Sequence, residues 1–295
     1  MFQIISDSGC DFTNAEAKQH NVDIIPFFVS FDEKTFLKEG VDISKEEYFE
    51  RLVADKSILP KTSQPNPQDC IDFYEPHLKQ GKDLIVLTIS SKLSGTNNSA
   101  MLAANMIEDD YPDRKVIVID SLNGSAGQNL ILREIIKMRD AGYSIDKTAE
   151  CAQEIIKTTK LYFTPGNLEF LKRGGRVGST TALVGGILGL HPILHLVDGA
   201  VDQLDSVRGK KKFQLLEDGA IAALKGSEKD VSICIGHIFN DELAGNFKAN
   251  IEKALGVNID TPISTVGAAI GSHIGPGSLV IAYCKKYETF EDGRA

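Results

Sequence analysis

Three short stretches of this sequence carry residue types that could hold or transform a carboxylate. Lys61-Thr62-Ser63-Gln64-Pro65 opens a helix-like run after a loop, and Ser94-Gly95-Thr96 repeats the arrangement after the next apolar run. Hydroxyl donors at a helix N-terminus suit an anion, because the first backbone N–H groups lack partners and the helix dipole is positive there. Gly95 would allow close backbone approach. The third stretch, Gly271-Ser272-His273-Ile274-Gly275-Pro276-Gly277, reads as a tight turn displaying one imidazole between glycines. A plainer reading stands beside each. Thr62, Ser63 and Ser94 are the residue types that cap helices in any protein, and a lone histidine often does no more than satisfy a buried turn.

Other chemistries lack their residues. There is no Gly-x-x-x-x-Gly-Lys-Ser/Thr loop and no Gly-x-Gly-x-x-Gly after a strand, so a nucleotide site is not expected. No serine sits in a Gly-x-Ser-x-Gly elbow. His191 and His195 have the spacing of two ligands on one helix face, but Pro192 and its neighbours read as a turn into a strand, and no metal is expected there. Glu108-Asp109-Asp110 ends a helix and reads as solvated surface. No residue is assigned as catalytic. The alternative is a self-sufficient hydrolase or phosphotransferase using Ser94 with His273, and a third reading is a regulatory scaffold.

Composition narrows the class. In 295 residues, 42% are hydrophobic and 25% charged, the balance of a globular protein with a sizeable core. The net charge is -9 with no run of five or more like charges, which argues against nucleic acid. Five scattered cysteines without a Cys-x-x-Cys pair suggest reduced thiols in a cytoplasm. MFQIISDSGCDF does not read as a signal peptide, and no apolar window is long enough to span a membrane.

The elements that must position these residues alternate. Phe2–Ser6, Val22–Phe31, Leu84–Ile89 and Lys115–Asp120 read as strands. Lys45–Asp55, Asn66–Gln80, Gly95–Asp109 and Ser125–Ala141 have helical spacing. Strands alternating with helices imply a mainly parallel sheet, with ligands at the carboxyl ends of its strands. There the sequence supplies Ser6-Asp7-Ser8-Gly9, Ser90 to Thr96, and Asp120 to Ser125. After about residue 158 glycines gather at Gly174-Gly175, Gly178, Gly185-Gly186 and Gly189, and Asp198-Gly199 reads as a hairpin turn. Alternation resumes with a helix over Phe213–Leu224, a strand over Val231–His237 and a helix over Asp241–Leu255. Strands over Ile263–Val266 and Leu279–Tyr283 complete it. The expectation is a two-domain α/β protein: an N-terminal three-layer α/β/α domain over residues 1–158 and a C-terminal α/β domain over 159–295.

Taken in order, these motifs resemble the DegV family. They are Ser6-Asp7-Ser8, Thr62-Ser63-Gln64-Pro65, Ser90 to Thr96 and Asp120-Ser121. Leu168 to Val177, Ile187 to Leu194 and His273-Ile274-Gly275-Pro276-Gly277 follow, so the set spans nearly the whole chain. Departures are mild: His191 stands where the family often has lysine, and Val177 replaces the usual isoleucine.

The resemblance implies one long-chain fatty acid held between two domains, with no other cofactor. Thr62 and Ser94 would hold the carboxylate, and His273 would assist. It also implies a partner, the ATP-binding fatty acid kinase subunit related to dihydroxyacetone kinase, which makes an acyl phosphate for phospholipid synthesis. It leaves room for transient membrane contact. Lys172-Arg173-Gly174-Gly175-Arg176 is a compact basic loop in an acidic chain, and Arg176 with Arg173 is the expected docking contact for the kinase; the plainer reading is a solvated loop. Burying a lipid chain is worth roughly 0.8 kcal/mol per CH₂. Two hydroxyls and an imidazole can satisfy a carboxylate whose burial would otherwise be costly.

Overall fold

The computed structural model describes residues 2–176 and 190–293. The first part runs β1 (Gln3–Asp7), α1 (Asn14–Gln19), β2 (Val22–Ile25), β3 (Phe28–Ser30) and β4 (Leu37–Lys38). It continues with α2 (Lys45–Ala54), β5 (Lys61–Ser63), α3 (Pro67–Leu78), β6 (Leu84–Thr88) and α4 (Thr96–Ile107). Then come β7 (Val116–Asp120), α5 (Ser125–Asp140) and α6 (Ile145–Thr158). The second part begins with β8 (Lys160–Thr164), α7 (Leu168–Gly174), β9 (Leu190–Val197), β10 (Ala200–Arg208) and α8 (Lys212–Leu224). It closes with β11 (Val231–His237), α9 (Asp241–Leu255), β12 (Ser264–Thr265), α10 (Ala268–Ile274) and β13 (Leu279–Lys285).

The strands form a parallel four-stranded sheet, β2-β1-β6-β7, a largely antiparallel six-stranded sheet, β10-β9-β8-β13-β11-β12, and a small sheet, β4-β3-β5. In the parallel sheet β1 and β6 are buried on both faces, as their unbroken apolar runs require. Ile5, Leu84 and Val86 pack with the buried faces of α3 and α4, while Ile4, Ile85 and Leu87 face a second core containing α5. Ile233, Ile235 and Ile281 of the other sheet face α8 and α9 in a third core.

Helix α5 therefore lies between the two large sheets, packing on α6 and on β11 and β13. Most of its buried polar groups find partners: Gln128 donates to Ser6 and Asp7, Asn129 to the Cys10 carbonyl, and Arg139 to the carbonyls of His20 and Asn21. Glu134 accepts from Ser232 and from the Tyr287 N–H.

The structure corrects three local expectations. Val22–Phe31 is two strands, because Pro26 offers no N–H and the chain leaves the parallel sheet there to enter the small one. Lys61–Ser63 is a strand, and the cap of α3 is Asn66, whose capping box with Asp69 is followed by Pro67. His273 sits in the last turn of α10, and the tight turn is confined to Gly275 (φ 78°) and Gly277 (φ 85°). Helices α1 and α6 and the small sheet were not anticipated. The Asp198-Gly199 turn joins β9 to β10, and His191 and His195 lie on β9 opposite Val207 and Asp202. Val177, Gly178, Gly185-Gly186 and Ile187-Leu188-Gly189 lie outside the described residues. No helix among the described residues is long and apolar enough to cross a membrane.

Candidate functional site

Each hydroxyl of the expected clamp is placed by a different element. Antiparallel pairing of Val29 with Thr62 fixes the latter on β5. Ser94 sits in the turn after β6, where the N–H groups of Leu93 and Ser94 both donate to the Ser90 carbonyl. The Ser94 Oγ lies 2.8 Å from Thr96 Oγ1 and accepts from the Thr96 N–H at 3.3 Å, opening α4 behind the Gly95 cap.

His273 comes from the far side. Its Nε2 is 3.1 Å from Thr62 Oγ1, whereas its buried Nδ1 has no hydrogen-bond partner among the described residues. Burial, and then the positive charge of Arg176, push the imidazole down to about 4, so the ring is neutral near pH 7. The ring lies against Gly174, where any Cβ would collide with Nδ1. Gly174 and Arg176 thus lie beside the imidazole.

Helix α10 holds this histidine because its other end is anchored. The Gly267 N–H donates to Asp11 at 2.7 Å, and those of Ala268 and Ala269 donate to Glu39. Asp11 also accepts from Ser125, and Glu39 from Ser8 at 2.8 Å. Asp7, nearby, accepts from the Ile89 N–H at 2.7 Å and from Gln128 at 3.0 Å. Burial raises Asp7 and Asp11 to about 6 and raises Glu39 as well, with Lys45 opposing the rise at Asp11 and Glu39.

Thr62, Ser94, His273 and Arg176 line one pocket, of about 890 Å³ with its mouth included. Away from the hydroxyls its walls are apolar: Phe27, Ile89 and Leu93 from one side, and Leu161, Phe163 and Val280 from the six-stranded sheet on the other. Leu196 and Val201 of the β9–β10 hairpin complete a wall, and Ser90 Oγ donates to the Gly199 carbonyl at the hairpin tip, 2.8 Å away. The arrangement can take a ligand with a polar head at Thr62 and Ser94 and an apolar body between the sheets.

The expected docking pair divides. Arg173 is exposed and 3.6 Å from Glu169. Arg176, expected on a partner-facing surface, also lines the pocket, with its guanidinium donating to the carbonyls of Leu93 (3.3 Å) and Gly174 (2.8 Å). Sequence reasoning missed the apolar walls, because their residues come from strands far apart in the chain. It also gave no role to Gln64, which lines the pocket and lies inside a motif already singled out.

Comparison with known proteins places these features in context. Residues 1–286 match a family model described as "Uncharacterised protein, DegV family COG1307". A DegV domain-containing protein of Clostridium perfringens is 32% identical over 288 residues, covering 96% of this chain and 99% of its own length. A stearic acid-binding protein of Eubacterium ventriosum has a solved structure with TM-score 0.93 and 30% identity, covering 98% of this chain and 100% of its own. A fatty acid-binding DegV family protein of Thermus thermophilus superposes with TM-score 0.86 at 27% identity, over 96% of this chain and 99% of its own.

Proposed function

We propose that this chain, which belongs to the DegV family, binds one long-chain fatty acid in the pocket between its two large sheets. The observation that carries the reading is the joining of an apolar chamber to a head group site of Thr62, Ser94 and His273. The fatty acids in the Eubacterium ventriosum and Thermus thermophilus proteins support it. Division into residues 1–158, bearing the hydroxyl loops, and 159–295, closing the pocket, belongs to the same proposal. In the tautomer with its proton on Nε2, the neutral imidazole donates to Thr62 Oγ1. The Thr62 hydroxyl then turns its own hydrogen toward the carboxylate, as Ser94 can.

In this reading the protein is a carrier and its carboxylate is offered to a separate ATP-dependent kinase for acyl phosphate formation. Exposed Arg173 and the neighbouring Arg176, next to the carboxylate end, suit an acidic docking surface. The self-sufficient hydrolase is disfavoured by geometry: His273 Nε2 is bonded to Thr62, and Ser94 to Thr96, so no serine–histidine pair is formed among the described residues. Native mass spectrometry and lipid extraction of the purified protein test the reading. One fatty acid per chain is expected. Empty protein that takes up no stearic acid when offered it would contradict it.

A further inference from the structure

Thr62 and Ser94 can share one carboxylate only if their hydroxyls keep a fixed separation, since clamps of this kind tolerate errors of only a few tenths of an ångström. They stand on separate structures. Thr62 belongs to β5 of the small sheet, and Ser94 to the turn after β6 of the parallel sheet. Among the described residues no hydrogen bond joins one to the other.

Gln64 spans that gap. It lies two residues past Thr62, and its Nε2 donates to Ser99 Oγ at 3.1 Å. Ser99 is buried on α4, where its own N–H closes the first turn on the Gly95 carbonyl at 3.0 Å. On the way, the Gln64 amide lies directly across Gly95: a Cβ there would meet both its oxygen and its nitrogen. The backbone at Gly95 (φ −79°) is open to any residue, so the glycine is required by this contact and not by its conformation. The close approach that Gly95 allows is therefore made by a protein side chain.

We propose that Gln64 is a positioning residue for the fatty acid carboxylate, a strut that crosses Gly95 and fixes the Thr62 strand against the Ser94 turn. It deepens the functional reading above and rests on it. Gln64 also lines the pocket, but it gives the ligand no charge; in this proposal it acts through the two hydroxyls. Gly95 and Gln64 are a matched pair, since a methyl group at position 95 would push the amide off Ser99 and undo the strut as fully as removing it.

The test is a cycle of wild type, Gln64→Ala, Gly95→Ala and the double variant, each titrated with stearic acid and with 1-octadecanol. Far-UV spectra confirm that all four are folded. Each single variant should bind stearic acid about fivefold more weakly, the effect of one lost neutral hydrogen bond. The double variant should be no weaker than either single one, and 1-octadecanol binding should change by less than about twofold, because the chamber is intact. Additive losses, equal losses for acid and alcohol, or unchanged acid binding would each overturn the inference alone. A wild type that takes up neither ligand would overturn the functional reading, and this inference with it.

Discussion

The two ends of α10 are both buried and both polar, yet they do opposite work. The N-terminal end is gripped by the carboxylates of Asp11 and Glu39, which accept its free N–H groups. The C-terminal end carries His273, whose Nε2 is bonded to Thr62 and whose Nδ1 has no partner among the described residues. Helix dipoles favour negative charge at the first end and positive charge at the second. The structure exploits only the first, because burial and Arg176 keep the imidazole neutral. On the proposed reading, one end is built for stability and the other holds polar capacity in reserve for a ligand.

The sharpest way to break that contrast is to truncate each end. Glu39→Ala leaves two helix N–H groups and the Ser8 hydroxyl without their acceptor and should cost roughly 3 kcal/mol of stability by chemical denaturation, the penalty for unmet buried donors. His273→Ala should cost less than about 1 kcal/mol, since it removes one hydrogen bond, while impairing fatty acid retention. Equal losses of stability would erase the distinction.

At the ligand end, Thr62→Ala and Ser94→Ala should each weaken stearic acid binding by about 2 kcal/mol, as expected for a hydrogen bond to a charged group. Both should leave the denaturation midpoint nearly unchanged. Binding at wild-type strength by calorimetric titration would reduce these hydroxyls to ordinary turn and cap residues.

Titration separates the ends again, by sign. Burial raises Asp7 and Asp11 to about 6 in the folded protein, against an ordinary value of 3.8. The native state therefore holds their protons longer, and their contribution to stability falls as pH rises from about 4 through about 6. His273 ionises near 4 against 6.5, so the native state releases its proton first, and its contribution rises over about 4 to 6.5. Asp11→Asn should flatten the fall with pH, and His273→Ala should steepen it. Denaturation midpoints collected from pH 4 to 7 decide; shifts of the same sign in both variants would contradict the assignment.

The smallest effect concerns the surface beyond the histidine. Arg173→Glu should slow acyl phosphate formation by an added fatty acid kinase severalfold at low salt, less at high salt, and leave stearic acid binding intact. Unchanged turnover at limiting protein would move the docking surface elsewhere.

Much of the fold was legible because it is local. The helix over Asp241–Leu255 and the strand over Val231–His237 were readable to the residue from periodicity and turn signals. The hydroxyl loops were legible because parallel strands place them at one sheet edge. Strand β5 was not, since its three residues are extended only by virtue of pairing with β3, about thirty residues earlier in the chain. The signal that would have freed Thr62 from a capping role was present in Asn66-Pro67-Gln68-Asp69, a complete helix start of its own. Helix α10 was hidden by its glycines, which disfavour helix locally. Gly271 is there because the Phe49 ring leaves no space for a Cβ, a contact between residues more than two hundred positions apart. The apolar walls have the same cause, being assembled from both large sheets.

The carboxylate's position is the centre of the account, and stearic acid labelled with ¹³C at its carboxyl carbon reports on it directly. Bound to the wild type, it should give a single carboxyl resonance distinct from that of free or vesicle-bound acid. Thr62→Ala and Ser94→Ala should each move that resonance, while Arg173→Glu should leave it in place. A bound resonance indifferent to both hydroxyls would contradict the account, by showing that the head group lies elsewhere.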